Sequence, residues 1–90
     1  MTVTDSIRVK LTAALTPTRL EINDDSARHH GHAGAHPEGE SHFSVTVVAA
    51  AFEGLPTVAR HRLVYSALAD ELSSRVHALQ LKTLTPSQDS

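Results

Sequence analysis

Two short stretches decide the fold: Arg-His-Arg-Leu-Val-Tyr at residues 60–65 and Val-His-Ala-Leu-Gln-Leu at residues 76–81. From Val64 onward, an apolar residue recurs every four positions, which is typical of one face of an amphipathic helix. From His77 onward, apolar residues alternate with others, which is typical of a β-strand with one buried face. The chain therefore passes from a helical pattern to a histidine that opens a strand pattern.

The rest of the chain divides into similar elements. Apolar residues recur at helical spacing from Ile7, and Thr4 or Asp5 can cap this first helix. Pro17 ends it, because the residue before a proline is pushed out of the helical region. The predicted elements are a helix over residues 5–15, strands over residues 19–23 and 42–49, a short helix over residues 55–60, a main helix whose apolar stripe is Val64, Leu68 and Leu72 with Asp70 and Glu71 on its other side, and a strand over residues 76–82.

This order predicts an α+β fold with the sequence αββααβ. Its helices pack on one face of a three-stranded sheet. The helical crossover before the last strand permits a parallel pairing, so we expect a mixed sheet with residues 42–49 as its central strand. Ninety residues allow a single domain over residues 1–90, with a core over residues 5–84 and a disordered polar tail over residues 85–90.

Composition excludes several classes of function. The chain has no cysteine, which removes disulfides, thiolate nucleophiles and thiolate metal ligands. Its net charge is −2 with the seven histidines neutral, a weak field for attracting nucleic acid or a membrane surface. No apolar run approaches the roughly 18 residues of a membrane span, and the start of the chain lacks the features of a signal peptide. We expect a cytoplasmic protein, or a mitochondrial matrix protein from which a presequence has been removed.

Separated motifs give the chain a specific resemblance. Asp-Asp-Ser at residues 24–26, Glu-Ser-His-Phe at residues 40–43 and Phe-Glu-Gly at residues 52–54 precede the two stretches quoted above. In this order they resemble the BolA family, and the resemblance extends from Ile7 to Pro86. It implies a fold related to the type II KH arrangement and a partnership with monothiol glutaredoxins in iron–sulfur cluster assembly. It also implies a nucleic-acid role, transcription regulation, for some members.

His77 is the first candidate site residue. Taken by itself, a histidine on the same strand face as two leucines is read most simply as a hydrogen-bonded residue at the edge of the core. The resemblance implies instead that His77 is the carboxy-side ligand of a two-iron two-sulfur cluster bridged to a partner. Imidazole suits this role, because two histidines replace two cysteines on one iron of Rieske centres.

A histidine-rich loop over residues 27–39 holds the second candidates. The resemblance implies a further cluster ligand in this loop, and the spacing after residues 24–26 places His29 on that position, with His32 next. There are two other interpretations: a flexible, solvated loop, or adventitious binding of zinc, nickel or copper by its histidines. Since the chain lacks cysteine, the resemblance implies that a glutaredoxin cysteine and glutathione supply the thiolates. The isolated chain is then expected to carry no cofactor and to be a monomer or weak homodimer.

Arg60, His61 and Arg62 form a basic cluster with two interpretations. One is a surface that contacts a partner or nucleic acid, and the other is a set of ion pairs with Glu53 or the aspartates at residues 24–25. KH domains clamp nucleic acid with a Gly-x-x-Gly loop, but this chain reads Gly-Leu-Pro-Thr at residues 54–57 and so lacks the second glycine.

The chain lacks a nucleophile elbow and a zinc-hydrolase motif, so we expect a non-enzyme. A nucleic-acid-binding transcriptional regulator is the alternative to the cluster-sharing adaptor.

Overall fold

The computed structural model describes residues 2–24, 42–74 and 76–89. The elements are α1 (Val3–Leu15), β1 (Arg19–Asp24), β2 (His42–Val48), a 3₁₀ helix (Ala50–Phe52), α2 (Thr57–Ala67), α3 (Ala69–Ser74), β3 (Ala78–Leu84) and a second 3₁₀ helix (Pro86–Asp89). This confirms the predicted αββααβ order. None of the helices in the described ranges has the length and apolar character needed to cross a membrane.

The three strands form one mixed sheet in the order β1-β2-β3. β1 pairs with β2 in antiparallel fashion, and β2 pairs with β3 in parallel. The prediction of a mixed sheet with β2 at its centre is therefore confirmed. Phe43, Val45 and Val47 alternate with half-buried polar residues along β2, so this strand presents one apolar face to the helices and leaves the other face polar.

The core lies between that apolar face and the helices. α1 contributes a stripe of buried residues at spacings of four, and α2 contributes Val64. The residues of the core cluster are Val3, Ile7, Leu11, Leu15, Phe43, Val45, Val47, Ala49, Phe52, Val64, Leu68 and Val76. The predicted placement of helices on one face of the sheet follows from this arrangement.

Helix α1 begins earlier than the sequence pattern suggested. Thr2 is its N-cap, and neither Thr4 nor Asp5 has that role. The Thr2 hydroxyl accepts a hydrogen bond from the Asp5 backbone N–H at 3.0 Å, and the Asp5 carboxylate accepts one from the Thr2 N–H at 3.3 Å. This capping box satisfies two amides that the first turn leaves without helical partners. These hydrogen bonds also hold the pKa of Asp5 below its usual value.

The helical region before β3 is divided at a different point from the predicted one. α2 runs without a break from Thr57 to Ala67, so residues 55–60 do not form a separate helix. The break falls at Leu68, and α3 follows it. The break changes the helical phase, so that Glu71, expected on the exposed side, is buried beside half-buried Leu72.

Strand β3 and the residues after it also differ from the prediction. β3 begins at Ala78 instead of Val76, and Val76 is a core residue that is only 7% exposed. Residues expected to form a disordered tail include the 3₁₀ helix Pro86–Asp89, and Thr85 before it is buried. The histidine-rich loop over residues 27–39, with His29 and His32, lies outside the described residues.

Candidate functional site

His77 lies at one end of the sheet, between α3 and β3. On one side, the N–H of buried Val76 donates a hydrogen bond to the Glu71 carbonyl at 2.8 Å. On the other side, Ala78 begins β3 and pairs with His42 of β2. The side chain of His77 is exposed. The structure therefore places an accessible imidazole on a backbone that is held at both neighbouring residues, rather than on the core face that simple alternation indicated.

Other potential ligands lie at the same end of the sheet. β2 and β3 are parallel, so their amino ends coincide, and antiparallel β1 ends there with Asp24 opposite Phe43. His42 is the first residue of β2 and is half-buried. Within the described ranges, no group of three or more histidine, cysteine or carboxylate side chains is arranged to hold a metal ion. The sequence did not single out His42, because only the strand register brings it near His77.

The Arg-His-Arg cluster lies within α2, and its three side chains have different surroundings. Arg60 Nε donates a hydrogen bond to the Leu55 carbonyl at 2.8 Å. One of its terminal nitrogens donates to the Thr83 carbonyl at 3.2 Å and to Gln88 Oε1 at 2.9 Å. Its guanidinium also lies 5.9 Å from the centre of the Phe52 ring. Arg60 therefore joins the start of α2 to the end of β3 and to the last 3₁₀ helix.

Arg62 is exposed, whereas His61 is half-buried like Arg60. The His61 ring makes an edge-to-face contact with Tyr65, one helical turn later, with ring centres 6.2 Å apart. Tyr65 is 41% exposed, and Arg62 is exposed as well. Of the three predicted contact residues, only Arg62 is exposed. His61 contacts Tyr65, and Arg60 contacts two carbonyls, a side-chain amide and an aromatic ring.

Two further cations form ion pairs within the protein. Lys10 of α1 lies 2.8 Å from the Glu71 carboxylate, whose side chain is 11% exposed, and this hydrogen bond raises the pKa of Lys10. Arg19 of β1 makes two hydrogen bonds with the Asp89 carboxylate, at 3.0 Å and 2.5 Å. This pairing raises the pKa of Arg19 and lowers that of Asp89. Neither cation is therefore fully available for an anionic partner.

Residues 54–57, compared above with the nucleic-acid clamp of KH domains, lack its second glycine. Gly54 adopts a φ of 78°, which glycine tolerates and other residues rarely do. Pro56 is the N-cap of α2, and Thr57, where the second glycine of a clamp would stand, is its first residue. A side chain at that position prevents the close backbone approach that the second glycine allows.

Comparison with known proteins identifies relatives along most of the chain. The family model described as "BolA-like protein" matches residues 11–88. BolA-like protein 1 of Homo sapiens is 49% identical over 83 residues, which are 92% of this chain and 58% of that protein. The DNA-binding transcriptional regulator BolA of Escherichia coli is 47% identical over 85 residues, 94% of this chain and 77% of that one. A SufE-like protein of Arabidopsis thaliana is 45% identical, but the chain spans 23% of its length.

Solved structures match the fold as well. BolA1 from Arabidopsis thaliana has a TM-score of 0.80 and 40% identity, covering 93% of this chain and 92% of that one. The BolA domain of SufE1 from the same plant has a TM-score of 0.78 and 46% identity, covering 90% and 88%. The chain thus spans little more than half of the first human relative, while it spans nearly all of these two solved chains.

Proposed function

Since this chain belongs to the BolA-like family, we propose that it is an adaptor that binds a monothiol glutaredoxin and shares a two-iron two-sulfur cluster with it. The observation that carries the proposal is the exposed imidazole of His77 at the end of the sheet. Val76 and Ala78 hold the backbone on both sides of it. A ligand on a fixed backbone needs little reorganisation to meet a cluster presented by a partner.

The donor set fits a shared cluster rather than a self-contained one. The chain has no cysteine, and clusters are usually held by four thiolates, two of which histidines replace in Rieske centres. Imidazoles from this chain and thiolates from a glutaredoxin cysteine and glutathione together complete such a set. His77 is the first proposed ligand, and His29 or His32 stays the proposed ligand from the loop.

The proposal gives the chain no catalytic role. A shallow depression on the polar face of the sheet is lined by Ser44, Val45, Thr46, Gln80, Leu81 and Lys82. It is open to water, and neither a histidine nor a carboxylate lines it. General acid–base catalysis needs such a group within hydrogen-bond reach of a substrate, so this depression does not suggest an enzyme.

A regulator that binds DNA is the second candidate, and the exposed Arg62 on α2 favours it. The relative from Escherichia coli carries that function in its name. Against it, the guanidinium of Arg60 is hydrogen-bonded within the protein, and Lys10 and Arg19 are paired with carboxylates. We therefore rank the DNA-binding regulator below the cluster-sharing adaptor.

The test compares His77→Ala with His61→Ala in the complex with a glutathione-loaded monothiol glutaredoxin. We expect visible absorption and circular dichroism of the cluster to change strongly with His77→Ala, because an iron ligand is lost. His61→Ala is the matched control, since it removes a half-buried histidine of α2 that contacts Tyr65. Far-ultraviolet circular dichroism confirms that both variants fold. Equal spectral changes in the two variants would contradict the role of His77.

A further inference from the structure

We propose that the free edge of β3 pairs with the same edge of a second copy of this chain, in antiparallel fashion, to form a weak homodimer. Such a dimer joins two three-stranded sheets into one sheet of six strands. The pairing needs neither a metal nor a glutaredoxin, so it does not rest on the proposed function.

The backbone of β3 leaves hydrogen-bonding groups on its outer side. The sheet order is β1-β2-β3, and no other strand among the described residues pairs with β3. The Leu84 carbonyl accepts a hydrogen bond from the Ala49 N–H at 3.0 Å, so the backbone groups of Leu84 face the β2 side. Along a strand, successive residues direct these groups to opposite sides. The N–H and C=O groups of Leu79, Leu81 and Thr83 therefore point to the free edge.

Arg60 covers the carboxyl end of this free edge. Its guanidinium donates to the Thr83 carbonyl at 3.2 Å, as expected for a carbonyl that points away from β2. The same nitrogen donates to Gln88 Oε1 at 2.9 Å, which brings the last 3₁₀ helix to this end of the edge. The part that stays open is formed by Leu79 and Leu81. An open row of N–H and C=O groups is a template for pairing with another strand.

Apolar side chains lie beside the open part of the edge. Leu79 and Leu81 are only partly buried where they pack against the core. Leu63 of α2 is 40% exposed. It follows Arg60 by three residues, so it lies on nearly the same side of the helix, the side that reaches the edge of β3. A strand added here would cover these leucines as well as pair with the backbone.

A second copy of the chain fits this edge in a symmetric register. When Gln80 lies opposite Gln80 of the second copy, Leu79 lies opposite Leu81 of the second copy, and the reverse holds. Both members of each leucine pair direct backbone groups to the other, which gives four hydrogen bonds. The leucines meet on the helix side of the sheet. On the other side Lys82 lies opposite Ala78 of the second copy, so like charges are not opposed.

Two neighbouring registers are less favourable. A register centred on Leu81 pairs Leu79 with Thr83 of the second copy, but the Thr83 carbonyl already accepts a hydrogen bond from Arg60. A register centred on Lys82 places two ammonium groups opposite each other, which destabilises a strand pair. The register centred on residue 80 avoids both conflicts.

The size of this contact predicts a weak dimer. Four backbone hydrogen bonds and a few leucines per copy correspond to a total buried area below about 1,200 Å², the class of weak complexes, and we expect a dissociation constant of about 10⁻⁴ M. The chain should then be a monomer at low micromolar concentration and mostly a dimer at about 1 mM.

Two measurements on the unaltered chain test the dimer and its location. Sedimentation equilibrium from about 10 µM to 1 mM should show a monomer–dimer equilibrium. Amide hydrogen exchange followed by nuclear magnetic resonance should slow about fivefold at Leu79 and Leu81 over the same range, since about four fifths of the chains are paired at 1 mM. The amides of Gln80 and Lys82 face β2 and should change little.

Charge substitutions then locate the symmetry axis. Gln80→Lys places two like charges opposite each other and should weaken the dimer about fivefold. Mixing Gln80→Lys with Gln80→Glu should restore association, because opposite charges then meet. Asn23→Lys is the matched control, since it adds the same charge at an exposed position of β1, the other edge strand. It should leave the dimer unchanged, and far-ultraviolet circular dichroism confirms that all variants fold.

Three results would overturn the inference. The first is a chain that stays monomeric at 1 mM. The second is a dimer that Asn23→Lys weakens as much as Gln80→Lys does, which would place the contact elsewhere. The third is a monomeric chain whose Leu79 and Leu81 amides become protected by an added extended peptide of alternating leucine and serine. That result would keep the edge as a binding site but refute the second copy as its occupant.

Discussion

At the scale of single residues, Arg60 shows how a basic side chain can be structural. Arginine carries five donors in a planar fork, and this one donates to the carbonyls of Leu55 and Thr83 and to the side chain of Gln88. Leu55 lies in the turn just before α2, whereas Thr83 and Gln88 lie 23 and 28 residues further along the chain than Arg60. A cation near the start of a helix gains nothing from the helix dipole, and these hydrogen bonds explain why one stands there.

We predict that Arg60→Lys lowers the free energy of unfolding by about 1–3 kcal/mol, because buried or half-buried acceptors lose charged donors. Lysine keeps the positive charge but cannot make the three hydrogen bonds of the planar guanidinium. A decrease in the free energy of unfolding therefore measures the contribution of those hydrogen bonds and not that of the charge. Arg62→Lys, on the exposed side of the same helix, should change stability by less than about 0.5 kcal/mol. Urea unfolding followed by circular dichroism measures both. Equal losses for the two substitutions would refute the structural role of Arg60.

The sequence identified the Arg-His-Arg cluster but could not distinguish the structural role of Arg60 from the exposed position of Arg62. Arg60 and Arg62 stand in one motif, and only the packing of the end of β3 and the last 3₁₀ helix distinguishes them. His77 was expected at the edge of the core because it lies two residues before Leu79, on the same face of the predicted strand. The strand begins one residue later, so the alternation does not apply to His77 and its side chain is exposed.

At the scale of elements, ion pairs connect two short segments with few or no buried apolar residues, α3 and the last 3₁₀ helix, to the rest of the protein. α3 has six residues with one buried side chain, Glu71, and Lys10 of α1 binds that carboxylate. The 3₁₀ helix Pro86–Asp89 has no buried residue, and Arg19 of β1 binds it through Asp89. Composition alone made this last segment look like a tail, because its anchor lies at the other end of the chain.

We predict that Asp89→Asn lowers stability at pH 7 and that this difference disappears in acid. The hydrogen bonds from Arg19 hold the pKa of Asp89 below its unfolded value, so the folded state gains stability when the carboxylate is ionised. That gain is present above the unfolded pKa of about 3.9 and is lost as pH falls through the lower folded pKa. Urea midpoints at pH 7, 5 and 3 give the difference between the two proteins.

The control for that comparison is Glu53→Gln, which removes an exposed carboxylate in the turn before α2. Its urea midpoint should differ little from that of the unaltered chain at pH 7. A stability difference for Asp89→Asn that is as large at pH 3 as at pH 7 would show that the Arg19 pair does not anchor the 3₁₀ helix electrostatically.

At the scale of the whole molecule, the fold could be read from the sequence because each element has a clear period. Strand β2 alternates and is flanked by turn residues, and α1 carries a stripe that recurs from Ile7. The position of the break at Leu68 could not be read, since the apolar repeat continues through it. The coincidence of His42 and His77 at one end of the sheet requires the register of parallel strands, which a sequence pattern does not encode.

The distribution of charge over the whole molecule predicts weak binding to DNA. The net charge is −2, and three of the described cations, Lys10, Arg19 and Arg60, have partners within the protein. Duplex DNA should therefore bind at pH 7 and about 150 mM salt only with non-specific dissociation constants of about 10⁻⁴ to 10⁻⁶ M. Fluorescence anisotropy with two duplexes of unrelated sequence measures this.

Arg62→Gln tests which surface makes these weak contacts. If the exposed arginine of α2 meets phosphates, its loss should weaken binding equally for both duplexes and reduce the salt dependence by about one counterion, without sharpening or relaxing any sequence preference. Lys82→Gln, on β3, is the matched change of one exposed charge on another element. Sequence-selective binding in the range of about 10⁻⁸ M or tighter, which is typical of specific regulators, would contradict the prediction. It would make the regulator, and not the cluster-sharing adaptor, the leading function of this chain.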